Sequence, residues 1–141
     1  MEVNPQMETT QQQKSSTREI VMRYFDAINM GGWEKYLAED MVMGIFDKEV
    51  PTKPAYVAAT RRFLQVAKQV AVRRLIVEGD SAAAIVRYKL VSPRGPVTSA
   101  DVAEFFTVKN SKIISNNIFF DTTTFNMFLA PFIVQYYKEQ V

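Results

Sequence analysis

The second half of the chain alternates apolar and polar residues in four segments that are separated by turn residues. Side chains along a β-strand point alternately to opposite faces of a sheet, so this alternation predicts half-buried strands. Gly79-Asp80 and Asn110-Ser111 are typical turn sequences, and residues 92–96 are typical of a loop. Because the connections are short, we expect consecutive strands to pair antiparallel. The predicted strands are residues 70–78, 82–91, 97–108 and 112–121.

The first half of the chain shows helical spacing instead. Ser16-Thr17-Arg18-Glu19 matches a capping box, and the apolar residues after it recur at helical intervals up to the Gly31-Gly32 break. Residues 33–38 predict a short second helix and residues 41–46 a short strand. Pro51-Thr52-Lys53-Pro54 predicts the start of a third helix, with its Thr as the N-cap.

The two ends of the chain differ from its middle. Residues 1–15 are rich in Gln and Thr with little to bury, which predicts a disordered tail before a single domain over residues 16–141. Thr122-Thr123-Thr124 predicts the start of a C-terminal helix that Pro131 kinks. This last segment is rich in aromatic residues, which leaves three interpretations open: a lid, a dimer interface, or packing on its own domain.

Helices gathered on one side of an antiparallel sheet define an α+β fold. We therefore predict three helices from the N-terminal half of the chain, packed on the concave face of a curved, cone-shaped antiparallel sheet, as in a cystatin-like α+β roll. A C-terminal helix follows. Such a cone can enclose an internal cavity.

One carboxylate lies on an otherwise apolar strand face. Val102, Glu104, Phe106 and Val108 share one side of the predicted third strand of the meander. An unpaired ionised carboxylate is costly there, so Glu104 must be paired, reach water, or hold its proton at neutral pH. Arg87 on the preceding strand is the candidate partner. The other two options are also how carboxylates in pockets become acids or bases.

The amino-acid composition excludes several classes of chemistry. The chain has no Cys and no His, which excludes disulfides, thiol nucleophiles, Ser-His catalysis and most zinc sites. The net charge is +2 and the basic residues are dispersed, so we expect no nucleic-acid partner. The longest apolar run, residues 128–134, is far too short for a membrane span, and the absence of a signal peptide predicts the cytoplasm. We expect no metal and no cofactor.

Several local sequences have counterparts in a known family. Residues 22–29 with their Gly-Gly break match a first helix, and residues 33–40 match a second helix that enters the first strand. Lys109-Asn110-Ser111-Lys112-Ile113 matches a hairpin, and Phe119-Phe120-Asp121 matches the end of the last strand. Over about residues 16–128 the chain resembles the nuclear transport factor 2-like superfamily and, within it, the SnoaL-like and ketosteroid isomerase-like proteins.

The resemblance implies catalytic positions. Ketosteroid isomerases use a Tyr on the first helix, an Asp on the strand before the hairpin, and a base near the end of the first strand. These positions correspond to Tyr24, to Glu104 in place of Asp, and to Ile45, with Asp47 the nearest carboxylate on the same face. Tyr24 and a protonated Glu104 would donate hydrogen bonds to an enolate oxygen, and Asp47 would remove the proton beside the carbonyl.

The same resemblance implies a wall for the cavity. The residues expected to contact a ligand are Arg87, Trp33, Phe63, Phe106, Asn116, Ile118 and Phe120. Asn116 and Asn117 are neighbours on the last strand and point to opposite faces, so one of them can enter the cavity.

A comparison with limonene epoxide hydrolase-like proteins disfavours that activity. Their Arg-x-Asp strand motif reads Arg87-Tyr88-Lys89 here, and their last-strand Asp position reads Ile118. Their Tyr-x-Asn pair reads Met43 and Ile45. Only the Arg is retained.

Three functions remain open from the sequence. The first is a cofactor-independent isomerase or cyclase that acts on an apolar carbonyl compound, polyketide- or terpenoid-like. The second is a non-catalytic protein that binds such a molecule, and the third is a dimeric interaction module. The expected partners are an apolar small molecule and, in a homodimer, a second copy of the chain. A protonated, donating Glu104 favours the enzyme, and an ionised Glu104 paired with Arg87 favours the binding protein.

Overall fold

The computed structural model describes residues 5–50, 52–91 and 97–123, and it is centred on one six-stranded sheet. The strand order across the sheet is β2-β1-β6-β5-β4-β3. The elements in chain order are α1 (Pro5–Met30), a 3-10 helix (Trp33–Tyr36), β1 (Leu37–Ile45), β2 (Lys48–Val50), α2 (Lys53–Phe63), β3 (Ala67–Glu78), β4 (Ser81–Val91), β5 (Val97–Lys109) and β6 (Lys112–Phe120).

The predicted antiparallel meander is confirmed for β3 to β6. The turn between β5 and β6 is the two-residue Asn110-Ser111, and both residues have positive φ, 52° and 60°. This is the mirror-image turn whose twist matches that of the flanking strands. Register shifts in three of the strand pairs mark bulges, which bend strands and give a curved sheet.

The first strand differs from the prediction of an entirely antiparallel sheet. β1 pairs parallel with β6, from Leu37 opposite Ile113 to Ile45 opposite Ile118. The chain between these two strands contains β2, α2 and the strands β3 to β5, so no tight turn forces them to run in opposite directions. β2 is a strand of three residues that pairs with β1 at the edge of the sheet, and it was not predicted.

The helices also differ in part from the prediction. The described residues contain two α-helices, and the predicted second helix is a single 3-10 turn because the chain becomes extended at Leu37. α1 begins at Pro5, upstream of the predicted capping box at Ser16. The division into a tail over residues 1–15 and a domain over residues 16–141 stays a prediction. The predicted C-terminal helix and the 92–96 loop lie outside the described residues.

Two polar anchors fix α1 across the sheet. Thr17 donates its hydroxyl hydrogen to the Gly79 carbonyl at 2.9 Å. The Asn29 amide makes a two-way pair with the backbone of Val70, at 2.9 Å and 2.8 Å. Thr52 caps α2 as predicted, because its hydroxyl oxygen accepts a hydrogen bond from the Ala55 amide at 3.2 Å.

The core lies between the helices and the inner face of the sheet. Tyr24 and Phe25 of α1 pack edge-on against Phe106 of β5, with ring centroids 5.9 Å and 5.6 Å apart. The buried residues of β5 alternate as predicted and include Glu104. Among the described residues, no helix is both long and apolar enough to cross a membrane.

Candidate functional site

A buried carboxylate and four neutral polar side chains form one hydrogen-bonded cluster between the sheet and the helices. We call it the polar network; its members are Tyr24, Tyr56, Tyr88, Glu104 and Asn116. Glu104 is only 2% exposed. Tyr88 donates its hydroxyl hydrogen to Glu104 Oε2 at 2.8 Å, and Asn116 Nδ2 donates to Oε1 at 2.9 Å. Both carboxylate oxygens therefore act as acceptors.

Strand register explains why three members of the network meet. β4, β5 and β6 are adjacent, and Glu104 lies opposite Ala84 on one side and Ile118 on the other. Asn116 lies opposite Phe106, two residues along β5 from Glu104. Residues two apart on a strand face the same side, so Glu104 and Asn116 both point inward on neighbouring strands. Tyr88 reaches Glu104 from the inner face of β4.

The two helices supply the remaining members. Asn116 Nδ2 also donates to the hydroxyl oxygen of Tyr56 in α2, at 3.1 Å. The hydroxyl oxygens of Tyr56 and of Tyr24 in α1 lie 2.5 Å apart and share a hydrogen bond. The predicted association of Tyr24 with Glu104 is thus indirect, because Tyr56 and Asn116 stand between them.

Burial dominates the electrostatics of the network. It raises the pKa of Glu104 to about 6, although the hydrogen bonds from Asn116 and Tyr88 pull this pKa back down. At neutral pH most of the carboxylate is therefore ionised. Burial and the nearby Glu104 charge raise the pKa of Tyr56 and of Tyr88. The pKa of Tyr24 is raised too, by burial and then by Tyr56. The three phenols therefore keep their protons, and Tyr88 donates its own to Glu104.

The predicted ion pair between Arg87 and Glu104 is wrong. Arg87 lies on the outer face of β4, where Nε and Nη2 bind Asp101 Oδ1 and Oδ2 at 2.9 Å and 3.2 Å. Arg73 Nη1 also binds Asp101, at 2.7 Å. The strand register pairs Arg87 with Asp101 and turns both away from Glu104. Arg87 was expected to contact a ligand in the cavity, but it is on the opposite face of the sheet from the polar network.

Asp47 is not brought to the polar network. β1 ends at Ile45, and the positive φ of Phe46 and Asp47 makes them the turn into β2, so Asp47 does not share a strand face with Ile45. Asp47 is exposed and accepts a hydrogen bond from Asn117 Nδ2 at 2.6 Å. Of the two neighbouring asparagines, Asn116 therefore joins the buried network and Asn117 holds the turn.

Three of the predicted apolar contact residues surround the tyrosines of the network. The rings of Trp33 and Phe106 lie 6.4 Å and 5.9 Å from that of Tyr24, and the Phe63 ring lies 4.8 Å from that of Tyr88. Ile118 and Phe120 are half-buried on β6, and Ile118 is the strand partner of Glu104. Their contact with a ligand stays a prediction.

Sequence reasoning did not assign Tyr56 or Tyr88 to the site. Both tyrosines were predictably buried, Tyr56 on the inner side of a helix and Tyr88 on a strand. The alternation that identified Glu104 also places Tyr88 on the inner face of its strand. That signal was available, and a buried Tyr hydroxyl usually has a hydrogen-bond partner.

Comparison with known proteins gives a family and a fold. Residues 21–116 match the family model of the SnoaL-like domain. No curated protein matches the sequence. Among solved structures, a proposed SnoaL-like polyketide cyclase from Jannaschia sp. CCS1 is 17% identical with a TM-score of 0.72, over 91% of this chain and 96% of that chain.

Two other solved structures have the same fold. AclR, a proposed hydroxylase from Streptomyces galilaeus, is 18% identical with a TM-score of 0.72, over 84% of this chain and 98% of that one. A proposed ketosteroid isomerase from Kribbella flavida DSM 17836 is 21% identical with a TM-score of 0.65, over 77% of this chain and 79% of that one. At these identities the likeness establishes the fold alone.

Proposed function

The chain belongs to the SnoaL-like domain family, and from that premise we propose that it binds an apolar carbonyl compound beside Glu104 and transfers a proton on it without a cofactor. The observation that carries the proposal is the Glu104 carboxylate, which is buried among the described residues with neutral donors as its hydrogen-bond partners. The cyclase and isomerase names of the structural relatives belong to those proteins, and they support a small-molecule role for this one.

Glu104 has the properties of a general base. A base works best when its pKa lies near the operating pH, and the pKa of Glu104 is about 6. Glu104 takes the proton from the carbon next to the carbonyl, and the C–H electron pair moves into an enolate whose charge lies on oxygen. Return of the proton to another carbon gives an isomer. Attack of the carbanion on a second carbonyl in the same molecule gives a ring, so one base serves either outcome.

The Tyr24–Tyr56 hydroxyl pair can donate a hydrogen bond to the enolate oxygen. The two hydroxyls carry two protons, and the bond between them uses one. The raised pKa values of both phenols keep these protons in place. The Tyr56 hydroxyl also has hydrogen bonds with Asn116 and Thr60, so when Tyr56 donates to Tyr24 the Tyr24 proton is the one left for a ligand oxygen. Donors held in a dry site stabilise a developing oxyanion. In this assignment Glu104 is the base and the tyrosines are the donors.

The surroundings of the network favour an apolar ligand body. Trp33, Phe63 and Phe106 all pack on its tyrosine rings. Small-molecule sites are typically lined by apolar and aromatic side chains with a few polar groups that orient the ligand. A polyketide- or terpenoid-like ketone has both an apolar body for the aromatic side chains and a polar carbonyl group for the network.

Glu104→Gln tests the proposal directly. The protein is incubated with 1-tetralone, an enolisable bicyclic ketone, in deuterium oxide, and loss of the proton signal next to the carbonyl is followed by NMR. We expect exchange by the unmodified protein to rise with pH through about 6 and then level off, because the ionised carboxylate is the active form. In Glu104→Gln the exchange should fall by roughly 100-fold or more, with ligand affinity largely retained.

Asp101→Asn is the matched control for this change. Asp101 lies on the same strand and undergoes the same carboxylate-to-amide replacement, but on the outer face with Arg73 and Arg87. Exchange in this variant should equal that of the unmodified protein. Full exchange in Glu104→Gln would show that Glu104 is not the base.

A non-catalytic binding protein is the second candidate. The observation that favours it is that each Glu104 oxygen already accepts a hydrogen bond, from Tyr88 or from Asn116. In that case the unmodified protein binds the ketone, measured by calorimetry, but produces no exchange above the solvent rate.

A further inference from the structure

We propose that Asn116 is a specificity-determining residue whose side-chain oxygen accepts a hydrogen bond from a hydroxyl group of the ligand. The proposal rests on the proposed function, because it concerns the molecule bound beside Glu104. It narrows the ligand class to carbonyl compounds that also carry a hydroxyl group.

The starting observation is an unpaired buried oxygen. Asn116 is 0% exposed, and its Nδ2 donates to Tyr56 Oη at 3.1 Å and to Glu104 Oε1 at 2.9 Å. These two bonds use both hydrogens of the amide group. Oδ1 has no hydrogen-bond partner in the described part of the chain. Buried polar atoms are rarely left in this state, because an unmade hydrogen bond there is destabilising.

The ionised carboxylate fixes the orientation of the Asn116 amide. An ionised Glu104 accepts hydrogen bonds and has none to donate, so only the NH2 side of the amide can face Oε1. Rotating the amide by half a turn would place two acceptor oxygens about as close as the present 2.9 Å contact. Oδ1 therefore faces away from Glu104, and no member of the network donates a hydrogen bond to it.

The amide that bears the free oxygen belongs to the group of side chains beside which the ligand is proposed to bind. Asn116 contacts both the proposed base, Glu104, and Tyr56 of the proposed donor pair. A ligand there meets a donor at the Tyr24–Tyr56 pair, which suits a carbonyl oxygen, and an acceptor at Asn116 Oδ1, which suits a hydroxyl hydrogen. A simple ketone would leave Oδ1 unpaired, and sites built to bind a hydroxyl discriminate against analogues that lack it.

The test compares matched ligands and matched variants. The ligands are 1-tetralone, the hydroxytetralones that carry one hydroxyl at each free ring position, and the methyl ether of each. Their dissociation constants are measured by calorimetry at neutral pH for the unmodified protein, Asn116→Leu and Asn117→Leu. Asn117 is the control because it is the next residue on β6, bears the same side chain, and binds Asp47 in the β1–β2 turn instead.

We expect at least one hydroxytetralone to bind the unmodified protein about tenfold more tightly than both its methyl ether and 1-tetralone. 1-Tetralone, which carries neither a hydroxyl nor a methoxy group, controls for the extra bulk of the ether. In Asn116→Leu this preference should shrink to less than about twofold, and in Asn117→Leu it should persist. If Asn116→Leu does not fold, Asn116→Ala takes its place, and equal binding of the ketone, alcohols and ethers to the unmodified protein overturns the inference in either case.

The outcomes separate this inference from the proposed function. Equal binding of the ketone, alcohols and ethers overturns the inference, and Glu104-dependent exchange of 1-tetralone would then still support proton transfer. A hydroxyl preference that survives in Asn116→Leu also overturns it. A preference that depends on Asn116, without any exchange, supports the inference together with the non-catalytic candidate. Absence of both binding and exchange with every tetralone overturns both proposals.

Discussion

At the scale of single residues, Glu104 shows how a strand can carry an ionisable group in a core. The loss of water raises its pKa, and two neutral donors, Tyr88 and Asn116, recover part of the lost solvation. The alternation of residues 97–108 predicted the buried carboxylate, and the structure confirms it. The same alternation excludes Arg87 as its partner, because Tyr88 faces inward and its neighbour Arg87 therefore faces outward.

The raised pKa of Glu104 makes the protein less stable as the pH rises. The folded state holds this proton more tightly than the unfolded chain, whose Glu titrates near 4.5. The stabilising contribution is therefore complete below 4.5 and is lost as the pH rises through about 6. Between pH 4.5 and 7 the unmodified protein should lose about 2 kcal/mol of unfolding free energy relative to Glu104→Gln. Urea unfolding of both proteins at several pH values measures the difference, and parallel curves would contradict it.

At the scale of elements, the β1–β2 hairpin depends on a contact that the local sequence does not reveal. Asn117 on β6 donates to Asp47 Oδ1, and its own Oδ1 accepts from the Asp47 amide at 3.3 Å. The Asn117 side chain can take this position only because residue 44 is Gly: a Cβ on Gly44 would lie 2.6 Å from Asn117 Oδ1. Gly44 is thus required by the close approach of a side chain from the neighbouring strand.

Gly44→Ala should displace Asn117 and release the turn. We expect a loss of about 1–2 kcal/mol in unfolding free energy, because the new methyl group competes with the Asn117 side chain for the same space. Asn117→Ser shortens that side chain, so adding Gly44→Ala to it should cost much less than in the unmodified protein. A double-mutant cycle by urea unfolding measures the coupling. Costs that simply add would show that the two residues act independently.

At the scale of the whole molecule, the polar network joins parts of the chain that are distant in sequence. Tyr24 and Tyr56 come from two helices, and Tyr88, Glu104 and Asn116 come from three adjacent strands. The network exists only when both helices are packed on the correctly registered sheet. Cytoplasmic localisation and the homodimer remain predictions at this scale.

The homodimer prediction has a direct measurement. Aromatic residues are enriched at interfaces, and the segment from Phe125 to Tyr137, which lies outside the described residues, is rich in them. Native mass spectrometry of the full chain at micromolar concentration should give a species of twice the 16.1 kDa mass of one copy. A truncation after Thr124 tests whether the aromatic segment contributes, because the dimer should then weaken. Single-copy mass for the full chain at every concentration would contradict the prediction.

The sequence by itself determined those features that depend on neighbouring residues. The meander, its Asn110-Ser111 turn, the Thr52 cap and the inward-facing Glu104 follow from alternation, turn chemistry and capping. Tertiary structure alone decided the parallel pairing of β1 with β6, the Arg87–Asp101 pair and the joining of Glu104 to the tyrosines. The physical reason is that local backbone preferences are set within a few residues, whereas strand register and hydrogen-bond partners depend on how distant segments share the core.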